Sequence, residues 1–162
     1  MKKHFLIFTR KLMATCTMLS IAMSSLTFAG ETAKTSNSST SKKPLLIKVT
    51  NLVSPSATVV VGVYTPGNKF LDINDQYKVY YLKPKNGVLT AKLNDLTYGT
   101  YGIALFQDLD GNGKINKNAL GIPKEPYAFS NNFKPMMKAP NFNNCKFSYN
   151  AACNSIEIKL LK

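Results

Sequence analysis

The run "LNDLTYGTYGIALF", residues 93–106, carries the period of a β-strand. Leu93 and Leu96 lead into a polar turn, and Gly99-Thr100-Tyr101 then enters an apolar segment. There Tyr101, Ile103 and Leu105 alternate with Gly102, Ala104 and Phe106. Successive side chains of a strand point to opposite faces, so this alternation predicts a strand over residues 98–108. Tyr101 stands at its entrance. A tyrosine at a strand corner buries its ring and gives its hydroxyl to nearby backbone, and that packing role is assigned here in preference to a ligand contact.

Further runs of β-branched and aromatic residues flank this one. "PLLIKVTN" (44–51) sets Leu45, Ile47 and Val49 against polar partners. "ATVVVGVYT" (57–65) is apolar on both faces, as a central strand is. "QYKVYYLKP" (76–84), "GVLTAKL" (87–93), "NCKFSYN" (144–150) and "SIEIKLL" (155–161) complete the set. In the last, Ile156, Ile158 and Leu160 face inward while Glu157 and Lys159 face water. No segment sustains a helical period and no internal repeat is present. Short strands at this spacing, separated by Gly, Pro and Asn turns, predict an all-β protein. The expected architecture is an antiparallel immunoglobulin-like or transthyretin-like β-sandwich of about seven strands over residues 44–162.

What precedes the sandwich is of a different kind. Lys2, Lys3, Arg10 and Lys11 form a positive region before the apolar Leu12–Ile21, and Thr27 and Ala29 occupy small-residue cleavage positions. Residues 1–29 are read as a signal peptide, cleaved before Gly30. The apolar run is too short, and too interrupted by Ser and Thr, for a membrane-spanning helix, so membrane contact is expected only before cleavage. Residues 30–43, "GETAKTSNSSTSKK", lack large apolar groups and are read as a flexible polar linker. The expected location is the periplasm or the extracellular medium of a bacterium.

Removing 29 residues from 162 leaves 133 and lowers the net charge from +13 to +9. It also removes the single histidine, His4. A chain without histidine builds no Ser-His-Asp or Cys-His site and lacks the usual near-neutral base and metal ligand. A non-enzymatic protein is therefore expected. The lysines are scattered and no nucleic-acid-binding motif is present, so the charge implies solubility or attraction to anionic cell-envelope polymers, not nucleic acid. Cys145 and Cys153 remain, flanking "KFSYNAA". In an exported protein such a pair is expected to form a structural disulfide across the base of a hairpin, contributing ~2–3 kcal/mol. Reduced thiols or a redox pair are the alternative, although the spacing is not Cys-x-x-Cys.

After the central strand comes "DLDGNGKIN", residues 108–116. Against the ligand positions of a calcium loop, Asp108, Asp110 and Asn112 match positions 1, 3 and 5. Gly113 matches the tight turn, Lys114 offers a backbone carbonyl, and Asn116 matches position 9. Ala119 stands where a bidentate acid belongs, and Glu125 is the residue that would fold back to replace it. Oxygen-only ligands favour Ca2+ over zinc or copper, and the low charge implies an affinity of ~10⁻⁴–10⁻³ M. The alternative is a plain turn, because Asp-Gly and Asn-Gly reverse a chain without any ion.

The longer stretch "GTYGIALFQDLDGNGKINKNALGIPKEPYAFSNN" (99–132) resembles the exported bacterial family known as domain of unknown function 2141. The resemblance rests on Gly99, Tyr101, Asp108, Gly111, Asn112, Gly113, Leu120, Gly121, Ile122, Pro123, Glu125, Phe129, Ser130, Asn131 and Asn132. It extends more weakly from about Pro44 to Leu161. Gln107 departs from the family, which often has His there, and Asp110 stands where Asn is frequent. The resemblance implies an exported sandwich and supplies no activity.

Within "GIPKEPYAFSNN", Pro123 and Pro126 stiffen an extended excursion. Ile122, Tyr127 and Phe129 are read as covering one end of the sandwich, and the Met136-Met137 pair as gap-filling core. On the functional reading, Tyr127, Ser130, Asn131 and Asn132 line a ligand site beside the acidic loop. Three functions follow as expectations. The first is an exported module whose calcium loop shapes a binding surface. The second is a module for carbohydrate, peptide or another exported protein, with the loop only a turn. The third is a hydrolase using Glu125 with Asp108 or Asp110, whose carboxylates would stand ~5–9.5 Å apart.

Overall fold

The computed structural model describes residues 42–162. The predicted signal peptide, and the predicted linker up to residue 41, lie outside the described residues. Eight strands follow: β1 (Leu45–Thr50), β2 (Val59–Tyr64), β3 (Lys78–Leu82), β4 (Leu89–Leu93), β5 (Gly99–Gln107), β6 (Tyr127–Phe129), β7 (Phe147–Tyr149) and β8 (Ser155–Lys159). One helical turn, α1 (Phe142–Cys145), precedes β7, and 3-10 turns occupy Ile73–Asp75 and Ser130–Asn132. No helix among the described residues is long and apolar enough to cross a membrane.

The strands form two sheets packed as a sandwich. One has the order β4-β1-β8. The other has the order β3-β2-β5-β6, with β7 also paired to β5. Ile47 and Val49 of β1, Leu89 and Leu93 of β4, and Ile158 of β8 face Val59, Val61 and Val63 of β2 and Ile103 and Leu105 of β5 across a closed core. Each such aliphatic side chain, removed almost wholly from water, stabilises the fold by roughly 1.5–3 kcal/mol. Every run read as a strand contains one. The eighth, β6, lies in the proline-bounded excursion, where it pairs Tyr127–Phe129 with Ala104–Phe106. Three residues after a proline show no period of their own. The strand exists because the edge of β5 supplies the hydrogen bonds.

All strand pairs are antiparallel except β1 and β8, which run parallel from Leu46↔Ser155 to Thr50↔Lys159. The first and last strands thus close one sheet, with the rest of the domain as their crossover. Tyr101 takes the corner role. Its hydroxyl donates to the Thr97 carbonyl at 2.8 Å and its ring is buried between Tyr77 and Tyr149.

The expected disulfide is corrected. Cys145 and Cys153 are both free, the first buried in α1 and the second exposed. The segment between them is not a hairpin. β7 extends along β5 in one sheet, whereas β8 lies on β1 in the other. Asn150 closes the intervening turn by accepting the N–H groups of Ala152 and Cys153 on its side chain. The methionine pair is corrected too: Met136 is 96% exposed and Met137 100% exposed, so neither fills the core.

β2 is apolar on both faces for a reason the sandwich does not supply. Val60, Gly62 and Tyr64 face away from the other sheet, yet they are buried. Loops cover them. Tyr64 packs edge-on against Phe70 at 4.9 Å, and Phe70 continues to Phe142 and Phe129. Gly102 of β5 makes room for this cluster, since a Cβ there would lie 3.1 Å from the rings of Phe70 and Phe142.

Candidate metal centre

β5 ends by placing Asp108 at the rim of the sandwich, where its N–H donates to the Thr58 carbonyl at 2.8 Å. The loop then folds around its side chain. One carboxylate oxygen accepts the N–H groups of Gly111 and Asn112 at 2.9 and 3.2 Å, and the other accepts that of Gly113 at 2.9 Å. Such a wrap needs positive φ at Gly111 (75°) and Gly113 (73°), which glycine adopts without steric cost. Asp110 accepts the Asn112 N–H at 3.2 Å and the side-chain amides of Asn112 and Asn116 at 2.9 and 2.6 Å. The Asn112 backbone N–H, followed by the Asn116 amide, holds the Asp110 carboxyl below the usual carboxylate range.

Glu125 folds back onto the loop. One of its oxygens accepts the Leu109 N–H at 2.9 Å and the other the Asn116 N–H at 3.0 Å, so one carboxylate ties both ends together. The Lys124 N–H donates to the Asn116 carbonyl at 2.8 Å and the Asn118 N–H to the Ile122 carbonyl at 2.9 Å, which sets Lys117 opposite Pro123. These bonds hold residues 116–125 as a narrow return.

Asp108, Asp110 and Glu125 therefore converge, each offering one carboxylate oxygen with all three atoms within 4.8 Å of one another. Asp108 and Glu125 are buried and Asp110 is exposed. The ion pairs among the described residues, Lys48–Glu157 and Lys78–Asp95, do not involve them. Three like charges so close repel, and their hydrogen-bond partners are neutral N–H and amide donors. A cleft of about 370 Å³, lined by Leu109, Asp110, Asn116, Lys117, Lys124 and Glu125, reaches two of the three acids, and Asp108 lies buried behind them. Lys117 and Lys124 line this cleft without forming an ion pair with the acids. The structure thus brings together three of the residues singled out for a metal. Asn112 and Asn116 stand around Asp110, and Lys114 joins through its N–H to the Asn112 side chain at 2.7 Å.

The four residues singled out for an organic ligand part company. Tyr127 is half-buried on the outer face of β6. Ser130 is fully buried and accepts the Ile103 N–H at 2.8 Å while lying within hydrogen-bond reach of the Ile103 and Cys145 carbonyls. Asn131 donates to the Lys146 carbonyl at 2.9 Å. Asn132 accepts the Lys159 N–H at 2.7 Å and donates to the Glu157 carbonyl at 3.3 Å. Ser130 thus bridges β6 to β5 and α1, Asn131 reaches the start of β7, and Asn132 reaches across to β8 in the other sheet. Both asparagines adopt positive φ (60° and 51°), as Asn does more readily than most residues.

Gln107, which the sequence marks only as a departure from His, is fully buried. Its side-chain oxygen accepts the N–H groups of Val53 and Ser54, and its amide donates to the Ser54 carbonyl at 2.6 Å. It pins the β1–β2 connection beside Asp108. Its position at the end of an apolar strand was the signal that it is buried.

Comparison with known proteins gives one family. The model of a family described as "uncharacterized protein conserved in bacteria (DUF2141)" matches residues 47–157, which include every strand but the last residues of β8 and the first of β1. No curated protein and no solved structure matches the chain.

Proposed function

This chain belongs to the DUF2141 family, and we propose that it is an exported, non-enzymatic sandwich module whose acidic loop binds Ca2+ weakly. The observation that carries this reading is the convergence of Asp108, Asp110 and Glu125 within 4.8 Å. A divalent cation relieves their mutual repulsion, and hard carboxylate and amide oxygens suit Ca2+. Glu125 takes the place of the missing twelfth-position acid, reached through the return of 116–125 instead of a helix. The ion holds that return in shape, and the return presents a binding surface at the rim of the sandwich. Export is inferred from the basic and apolar segments of residues 1–29 and the small residues before Gly30. It places the module in the periplasm or outside the cell, where millimolar Ca2+ suits an affinity of ~10⁻⁴–10⁻³ M. Both Glu125 oxygens are engaged by backbone N–H groups, which suits a bracing or ion-holding carboxylate better than the free acid or nucleophile of a hydrolase.

A second reading has its own support. Asp108 already accepts three backbone N–H groups, which is how a turn is built without an ion. Thermal unfolding in EDTA and then in 10 mM Ca2+, a level set at ~10–100 times the expected Kd, separates the two. Ligand binding to the folded state alone raises stability by RT ln(1 + [L]/Kd), ~1.4–2.7 kcal/mol under these conditions. A rise in Tm of several degrees, abolished in Asp108→Ala/Asp110→Ala, supports calcium. No rise makes the loop a turn and favours a carbohydrate- or peptide-binding module.

A further inference from the structure

The outer face of the β3-β2-β5-β6 sheet carries a cleft of about 490 Å³. This lies within the ~300–1,000 Å³ range of small-molecule sites. Its floor is mainly apolar, built from Val60 and Tyr64 of β2, Ala104 and Phe106 of β5 and Tyr127 and Phe129 of β6, with the Gln76 amide donating to the Tyr64 hydroxyl beside it. One wall is the return that Glu125 braces, carrying Leu120 and Ile122, and the other is the 135–140 segment, carrying Met136 and Met137. Leu120 is 83% exposed and the methionines are more so. Large apolar side chains are thus held at the mouth of the cleft in water, where they stabilise nothing in the unliganded domain. Met adapts its shape to an irregular ligand more readily than branched side chains do.

The charge at the cleft has one sign. Lys117 and Lys138 line it, and no aspartate or glutamate does. An apolar floor with two ammonium groups at its margin complements an apolar body that ends in a negative group. We infer that the cleft binds a monomeric long-chain carboxylate, its alkyl chain on the floor and its head towards Lys117 and Lys138. A cleft of this volume on a sheet floor accommodates a hydrocarbon chain, and each methylene buried there leaves water. Asp108, Asp110 and Glu125 do not line this cleft, but its wall is the return that the calcium reading shapes, so the titration is run in EDTA, where its outcome does not depend on an ion.

Isothermal titration of the full chain with dodecanoate, dodecanol and dodecylammonium, each below its micellar concentration, tests the inference. Dodecanoate is expected to bind one to one and at least tenfold tighter than either analogue. Lys117→Glu/Lys138→Glu is expected to abolish that preference, and Leu120→Glu to weaken dodecanoate at least tenfold. All three positions are exposed, and circular dichroism confirms folding of each variant. Failure of dodecanoate to bind the native chain overturns the inference, as does equal affinity for the three head groups. So does cosedimentation with phosphatidylglycerol vesicles in the absence of monomer binding, which would make the face a membrane contact.

Discussion

Glu125 holds Asn116 by its backbone N–H at 3.0 Å, and with its other oxygen holds Leu109. One buried carboxylate therefore fixes the return that walls both clefts. In Glu125→Gln, one amide oxygen can accept one of these N–H groups, while the new NH2 meets the other N–H donor. The expected loss is ~1–3 kcal/mol, the cost of an unsatisfied buried donor. Urea unfolding in EDTA measures it without calcium, and an unchanged midpoint would deny Glu125 its bracing role.

The Asp110 carboxyl, held low by the Asn112 N–H, gives a pH signature. A group whose folded pKa is depressed contributes stability above its unfolded value, about 3.9, and loses that contribution as pH falls through its folded value. The stability gap between the native chain and Asp110→Asn in EDTA is expected to be constant at neutral pH and to close below about pH 4. Thermal melts from pH 7 to pH 2.5 read it. A gap that persists at the acid end contradicts the assignment.

Tyr101→Phe removes the hydroxyl that the Thr97 carbonyl accepts from. A destabilisation of ~0.5–1.5 kcal/mol is expected, with the denaturant slope unchanged because the ring still packs. An increase in stability would deny the corner its role.

Ser130→Ala leaves the Ile103 N–H without its partner inside the protein. The expected cost is ~1–3 kcal/mol. Because Ser130 lies in neither cleft, the shift of Tm produced by Ca2+ is expected to stay as in the native chain. A selective loss of ligand response would restore Ser130 to a binding role.

The separation of the cysteines is read by thiol labelling in a Cys16→Ser chain. Burial pushes the Cys145 thiol up to about 11, so it is both shielded and protonated at pH 8. One equivalent of reagent is expected to react under native conditions, at Cys153, and two in denaturant. No reaction in either state would mean that the two are bonded.

Much of this fold is written in local pattern. The alternation in Leu45–Thr50, Val59–Tyr64 and Gly99–Gln107 fixes which side chains face the core, because a strand has a period of two. The Asp-x-Asp-Gly-Asn-Gly order likewise fixes the wrapped loop, since only glycine turns so tightly with positive φ at little cost. Period and turn chemistry name a face, not a partner. The parallel pairing of Leu46 with Ser155, the strand at Tyr127–Phe129, and the removal of Cys145 from Cys153 follow from which edges remain open once the core has closed. The arrival of Glu125 beside Asp108, and of Met137 at the mouth of an apolar cleft, has the same origin. Residues far apart in the chain meet where packing leaves backbone donors unpaired or apolar surface uncovered, and no run of neighbouring residues carries that information.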